Sequence, residues 1–388
     1  MALSKARLFS QLADALEGKV KVTARIGLTI IGSEHPAEML AEAAKRVQDN
    51  ADALQVIAIG PQKAIESAGL QGVAVDSPED SHRVMDKMLR EGELDAAVTM
   101  HYNFPLGIAT VGRVVTPGFG RPMFLATTTG TAAVDRVESM VKNAIFGIVA
   151  AKASGLKNPK LGILNVDGSR QVERILKTIA ERGYEINFAN SLRADGGCVM
   201  RGNDLLAGTC DVMVTDTLTG NLLIKVFSAY TTGGNYEASG WGYGPGIGQD
   251  MDKIVLILSR ASGMPVVEGA IHYAAEMVRG NLINVARDEF QLLRGLGFDE
   301  VISNISKVKK SPKEVSDKGE DKISPPPKKI VTAEISGIDV LQMEDAAMTL
   351  WKNDIYAETG MGCTGPVILV AEEDLSKASE ILKAEGYI

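Results

Sequence analysis

The stretch DVMVTDTLTGNLLIK, Asp211 to Lys225, passes from an apolar run to a polar turn and back to an apolar run. Val212 to Val214 fits a buried parallel strand. Thr215, Asp216, Thr217, Thr219 and Asn221 make the turn polar, Gly220 permits it to be tight, and Leu222 to Val226 resumes with helical character. A strand feeding such a turn and then a helix sets hydroxyls and amides at the carboxyl end of a sheet. Ligands of open α/β sheets bind there, and a helix start favours an anion. An ordinary connection with a capping Thr or Asp explains the same spacing, and both readings stay open.

Helix and strand signals alternate on either side. Residues 3–17 carry Leu3, Leu8, Leu12 and Leu16 on one helical face. Strands are expected at Arg25 to Ile31, Leu54 to Ile59, Ala96 to Met100, Met123 to Thr127, Leu161 to Val166 and Ile254 to Ser259. Helices are expected at Ala37 to Gln48, where Pro36 suits the first turn, and at Ser81 to Glu91, Glu138 to Ser154, Gln171 to Arg182 and Pro265 to Gly280. This rhythm predicts an α/β fold, a doubly wound and mostly parallel sheet with helices on both faces.

The totals narrow the function. The 388 residues have room for two or three domains, and 45% are apolar, enough for a large core. A net charge of −8 argues against binding a nucleic-acid backbone. No apolar run approaches the roughly 18 residues of a membrane helix, and no basic-then-apolar leader is visible. Cys198, Cys210 and Cys363 are three cysteines without a C-x-x-C pair, which fits a reducing cytoplasm rather than a disulfide frame or a zinc site.

Two segments break the rhythm. Gly240-Trp-Gly-Tyr-Gly-Pro-Gly-Ile-Gly248 lacks the preceding strand of a dinucleotide site and is expected to be a loop, either lining a cleft or lying on the surface. Lys307 to Lys329 holds a lysine run, acids and Pro325-Pro326-Pro327, and is expected to be a solvated linker. The expected division is a body over 1–306 in one or two lobes, a linker over 307–329, and a C-terminal βαβα module over 330–388.

In that module Gly360, Gly362, Gly365 and Pro366 surround Cys363. Glycines expose a sulfur and free backbone N–H groups, which lower a thiol pKa and hold the oxygen of a tetrahedral intermediate. Gly362 and Gly365 would supply amides and Thr364 a hydroxyl. A buried, inert cysteine in a Gly-rich turn fits equally well. Asn103, Asn165, Asp167 and Ser169 fall where two other strands end. With Thr215, Asp216, Thr219 and Asn221 they put three polar turns on one rim, a candidate substrate or phosphate site. His101 ends a strand and either faces that cleft or serves as a structural histidine. No metal-ligand spacing is present.

Residues 23 to about 280 resemble the acyl-carrier-protein–phosphate acyltransferase family of phospholipid synthesis, itself similar to phosphate acetyl- and butyryltransferases. The matching places are Gly32 to Pro36, Glu91-Gly-Glu-Leu-Asp-Ala96, Asn158-Pro-Lys-Leu-Gly-Ile-Leu-Asn165 and Val214-Thr-Asp216 with Thr219-Gly-Asn221 and Lys225. Where that family has Gly-Asn-Thr-Gly, this chain has Tyr102-Asn103-Phe104-Pro105. The architecture implied is similar to that of isocitrate and isopropylmalate dehydrogenases. With its tail included, the whole chain resembles the family of component C alpha subunits of the glycine/sarcosine/betaine reductase complex. The Thr359 to Pro366 segment and the Gly240 to Gly248 stretch carry that resemblance.

The resemblance implies that a selenoprotein, protein A of the complex, presents a carboxymethyl group on selenium. Component C, with its beta subunit, takes the two-carbon unit as a cysteine thioester, and inorganic phosphate releases it as acetyl phosphate. The thiol role falls on Cys363. No cofactor is implied beyond phosphate as substrate, the protein is expected to be a cytoplasmic homo- or hetero-oligomer, and no nucleic-acid or membrane partner is expected. A phosphate acyltransferase using another thioester, with Cys363 silent, and a non-catalytic scaffold subunit remain open.

Overall fold

The computed structural model describes residues 23–194, 196–308, 324–338, 342–362 and 365–388. The helix expected over 3–17, most of the linker, and both Cys363 and Thr364 lie outside the described residues.

The chain runs β1 (Ala24–Thr29), α1 (Ala37–Asn50), β2 (Leu54–Gly60), α2 (Gln62–Ala68), β3 (Gln71–Ala74), α3 (Pro78–Arg90) and β4 (Ala96–Thr99). A hairpin follows, β5 (Ile108–Val115) and β6 (Pro122–Thr131). Next come α4 (Arg136–Ala153), β7 (Lys160–Leu164), α5 (Ser169–Glu181), β8 (Asn187–Phe188), β9 (Val199–Met200), α6 (Gly202–Ala207), β10 (Val212–Val214) and α7 (Thr217–Ala229). The body closes with β11 (Gly244–Ile247), β12 (Val255–Ile257), α8 (Met264–Arg279), α9 (Leu282–Gly295) and α10 (Phe298–Val308).

The strands form one sheet in the order β3-β2-β1-β4-β12-β11-β5-β6-β10-β7-β8, with β9 beside β7. β3 to β12 are parallel, and β6, β10, β7, β8 and β9 are parallel. Between these blocks, β11 is antiparallel to β12 and to β5, and β5 is antiparallel to β6. The fold is therefore the expected mostly parallel α/β sheet, with its two parallel blocks running in opposite senses.

One apolar cluster, including residues of α1, α4, α8 and α9, packs on one face, and a second, including α3, α6 and α7, packs on the other. Both faces being covered fits the fully buried, apolar run of an inner parallel strand such as β10, Val212–Val214. Caps mark the helix starts. Ser77 Oγ accepts from Asp80 N–H ahead of Pro78, and the Asp135 carboxylate accepts from Glu138 N–H.

The glycine-rich stretch is corrected by the structure. Gly244–Ile247 is a buried strand in the middle of the sheet, not a loop. Its glycines allow close approach. A Cβ on Gly244, whose φ is +83°, would sit 1.8 Å from the Val111 carbonyl oxygen, and one on Gly246 would sit 2.3 Å from the Phe104 ring.

The tail contains β13 (Ala333–Ser336), α11 (Met343–Lys352), β14 (Ala357–Gly362), β15 (Gly365–Val370) and α12 (Leu375–Ala384). It has one strand more than the expected βαβα order, because Ala357 to Gly362 pairs along β15 instead of forming a loop. The sheet order is β13-β15-β14, all antiparallel. Leu350, Ile368 and Leu382 are fully buried in a core of the tail's own, each worth about 1.5–3 kcal/mol of burial.

Candidate active site

The frame stretch folds into strand, turn and capped helix. The Asp216 carboxylate accepts from Thr219 N–H at 3.1 Å and from Thr219 Oγ1 at 2.6 Å, closing the first turn of α7. Its Oδ2 also pairs with the Arg136 guanidinium at 3.0 Å. Both the cap and an exposed cation therefore sit at the start of α7. Gly220 brings that helix against β6, since a Cβ there would lie 1.7 Å from the Thr127 carbonyl oxygen. Close approach lets Asn221 Nδ2 donate to the Thr128 carbonyl at 3.0 Å and Thr217 Oγ1 donate to the Gly130 carbonyl at 3.2 Å.

The last residues of β6 thus form a bridge. On their other side Gly107 N–H donates to the Thr131 carbonyl at 2.9 Å, which ties in the 101–107 connector leaving β4. Although the two parallel blocks point opposite ways, the carboxyl ends of β4 and β6 meet at this connector.

The tail docks here. Thr131 Oγ1 donates to the Thr359 carbonyl at 3.2 Å, and Leu106 N–H donates to Glu358 Oε2 at 3.0 Å. Asn103 Nδ2 donates to the Thr332 carbonyl at 3.4 Å, and His101 Nε2 pairs with Glu334 Oε1 at 3.1 Å. Glu358 is buried and also accepts from the Tyr356 hydroxyl at 2.7 Å. A small cavity of about 30 Å³ lies between body and tail, lined by His101, Asn103, Thr129, Thr131, Thr359 and Gly360 among others. His101, Asn103 and Glu358 also line an adjoining cleft of about 640 Å³.

Electrostatics at the junction are set by this contact. The His101 ring holds the Glu334 carboxyl below its ordinary value against the opposing effect of burial. Burial, followed by the neighbouring His101, pushes the His82 imidazole down. His82 Nε2 lies 3.2 Å from Thr99 Oγ1, and Thr29 Oγ1 donates to the same oxygen at 2.9 Å. Tyr102 is held by its hydroxyl donating to Asp86 Oδ1 at 3.0 Å, an oxygen that also pairs with Lys253 at 2.6 Å.

The structure brings two of the three expected polar turns side by side. β7 and β10 are neighbours, and the Gly168 turn abuts Val137, next to Arg136 and so to Asp216. Asn165 and Asp167 are exposed, while Ser169 is buried with its hydroxyl 3.4 Å from Asn165 Oδ1. Thr215 is fully buried. Its Oγ1 and Asn143 Oδ1 have no hydrogen-bond partner among the described residues, while Asn143 Nδ2 donates to the Thr215 carbonyl at 3.1 Å. Asn103 lies on the far side of the Thr128–Thr131 bridge and faces the tail. Gly362 and Gly365 pair across β14 and β15, and Cys363 and Thr364 fall between them in sequence.

Glu334, Glu358 and Thr131 were not singled out from sequence. Their partners are separated from them by between 228 and 252 positions for the two hydrogen bonds, and no local pattern announces such a contact. The other two cysteines are buried. Burial pushes the Cys198 thiol up to about 11 and the Cys210 thiol up to about 12, so neither is a nucleophile near neutrality. Among the described residues no group of three or more His, Cys, Asp or Glu is placed to hold a metal. None of the described helices is long and apolar enough to cross a membrane.

A family model described as fatty acid synthesis protein matches residues 24–369. The chain is 50% identical over 98% of its length, and 97% of the relative's, to the glycine/sarcosine/betaine reductase complex component C subunit alpha of Peptoclostridium acidaminophilum. It is 25% identical to the phosphate acyltransferase of Thermotoga petrophila, over 52% of this chain and 66% of that one. The crystal structure of a 4-hydroxythreonine-4-phosphate dehydrogenase from Burkholderia phymatum matches at 14% identity with a TM-score of 0.34, over 69% of this chain and 98% of that one, too loosely to bear on the argument. The chain thus belongs to the fatty acid synthesis protein family, whose members here include the component C alpha subunit of the glycine/sarcosine/betaine reductase complex.

Proposed function

We propose that this chain is the acyl-transferring subunit of a reductase component C. It holds a two-carbon acyl unit as a thioester on Cys363 and transfers it to inorganic phosphate, giving acetyl phosphate. The observation that carries the reading is the docking of β14, the strand leading to Cys363, on the body. Thr359 is bonded to Thr131 at the carboxyl end of β6, and Glu358 to Leu106 in the connector just before β5. A phosphate oxygen attacks the thioester carbonyl carbon, the C–S bond breaks, and the electron pair leaves with sulfur. A thiolate is both a good nucleophile and a good acyl leaving group, so the step also runs in reverse.

The body's part is to hold the anion in line. In this reading the start of α7 and the Thr215 to Asn221 turn supply amides and hydroxyls, aided by Asn103 and by Asn165, Asp167 and Ser169. Asp216 is a carboxylate and would repel a phosphate dianion. Its role is to hold Arg136, whose guanidinium is half exposed and of the right charge. Gly362, Thr364 and Gly365 would support the oxyanion beside Cys363. The acyl unit would be delivered by a selenoprotein partner, with a component C beta subunit completing the assembly.

The test is exposure of the purified chain to acetyl phosphate, followed by peptide mass spectrometry. An acetyl adduct on Cys363, removed by phosphate and absent in Cys363→Ser, is the expected result. A Cys363→Ser protein that retains full arsenate-dependent breakdown of acetyl phosphate overturns the cysteine route. If that variant also makes acetyl phosphate from acetyl-coenzyme A, the direct phosphate acyltransferase reading replaces it.

A further inference from the structure

We infer that the outer face of α7 is where this chain meets a second copy of itself, the two α7 helices packing antiparallel about a two-fold axis. The inference goes beyond the acyl-transfer reading and does not depend on it. Leu218 and Val226 are 49% exposed, Tyr230 50% and Leu222 61%. They stand four apart in sequence, so they fall in one row along a single helix face. Tyr230, the first residue past Ala229, keeps right-handed helical backbone angles and continues that row. The opposite side of α7, with Gly220, Ile224 and Phe227, is buried, and Gly220 lies against β6. A helix apolar on its outer as well as its inner side is one that becomes covered. A solvent-facing helix of the same body looks different, since α5 exposes Arg170, Arg174, Lys177 and Glu181.

Two features make a second copy the cover. The row is its own complement. In a two-fold contact residue i meets j and j meets i. The row is symmetric about Ile224, so an antiparallel partner sets Leu218 against the partner's Tyr230 and Leu222 against the partner's Val226. Rows of this spacing are the ridges that interdigitate between packed helices. Charge points the same way. Copies that each carry a net charge of −8 repel unless they meet on uncharged surface. The row holds no charged residue, and the Lys225 ammonium at its edge is drawn back over the Tyr243 ring at 5.9 Å. The same pairing brings the partner's Tyr230 to the first turn of α7, beside Thr217 and Thr219. The Asp216 turn of each copy is then flanked by an aromatic ring of the other.

Sedimentation velocity on the full-length chain at micromolar concentration reads the mass, and wild type should run as a dimer. Leu222→Glu sets a carboxylate against the partner's Val226, and Val226→Lys sets an ammonium against the partner's Leu222. Each alone should raise the dimer dissociation constant roughly a hundredfold or more, because the charge it buries is unpaired. Mixed in equal amounts, with one isotope-labelled, the two variants should recover a dimer of one chain of each kind in native mass spectrometry, since the new carboxylate then faces the new ammonium. Both positions are exposed, so the variants should fold, and circular dichroism checks that they do. A monomeric wild type, a dimer that either substitution leaves intact, or variants that stay monomeric on mixing overturns the inference. Unchanged mass with faster trypsin cleavage within residues 1–22 in Leu222→Glu overturns it in favour of the chain's own first residues as the cover.

Discussion

The backbone N–H of Leu106 donates to the side chain of Glu358 at 3.0 Å across the junction of body and tail. The same carboxyl takes the Tyr356 hydroxyl at 2.7 Å, and burial together with Glu358 pushes that phenol up, keeping it a donor. A buried acceptor serving two donors, one of them in the connector that carries His101 and Asn103, fixes where the tail sits.

Removing that acceptor should loosen the junction. Glu358→Ala strands the Leu106 N–H and the Tyr356 hydroxyl and should cost about 1–3 kcal/mol. Acetyl phosphate turnover should fall more than tenfold, and Glu358→Gln, which keeps one oxygen, should lie between. Thermal unfolding and arsenolysis rates measure the two effects. Wild-type values for both in Glu358→Ala would show that the contact positions nothing.

Gly220 should tolerate no side chain. An added Cβ meets the Thr127 carbonyl oxygen at 1.7 Å, so Gly220→Ala has to push α7 off β6. Overpacking of this kind costs about 3 kcal/mol, and it also withdraws Asn221 from the Thr128 carbonyl. Denaturant titration should show the loss, with the KM for phosphate raised in whatever fraction stays folded.

The first strand offers a pH test away from the site. Burial by itself would raise the Asp95 carboxyl, but the Arg25 side chain and backbone N–H bond it and hold it below its ordinary value. A carboxyl lowered on folding contributes stability that is complete above its unfolded value and is lost as pH falls through its folded one. Asp95→Asn should therefore be less stable at pH 7, and its curve should converge with wild type on acidification. Urea midpoints between pH 7 and pH 3 give the comparison, and parallel curves would refute it.

The three thiols should be distinguishable in the native protein. Cys198 and Cys210 are buried, with thiols pushed up to about 11 and about 12, so brief alkylation at pH 8 should leave both unmodified while Cys363 reacts. Peptide mapping before and after denaturation reads this out. Equal labelling of all three without denaturant would contradict it.

Local signals carried much of the fold. The apolar run before Thr215, the cap at Asp216 and the glycine at 220 act within a few residues, and the structure forms the strand, turn and helix they imply. Gly244–Ile247 escaped because its strand character comes from a distant partner, β5, whereas Ile108–Val115 escaped although its β-branched run is local and it pairs with β6 as a hairpin. Gly244 and Gly246 have poor strand propensity, yet their missing side chains are what lets Val111 and Phe104 come close. Ala357 to Gly362 escaped because its glycines read as a loop, although it pairs with the adjacent β15. In the site, the Asp216 turn was legible because its chemistry is local. The pairing of His101 with Glu334 was not, because it exists only once the tail reaches the connector.

In the tail sheet the middle strand is β15, and it is the last of the three to be made. β13 and β14 have no edge to pair with until Gly365 to Val370 has left the ribosome, and α12 follows later still. The body can mature during translation, but the piece that closes over its connector cannot. A nascent chain therefore keeps that face open until β15 has emerged, and a product truncated before Gly365 would hold a finished body with no closure.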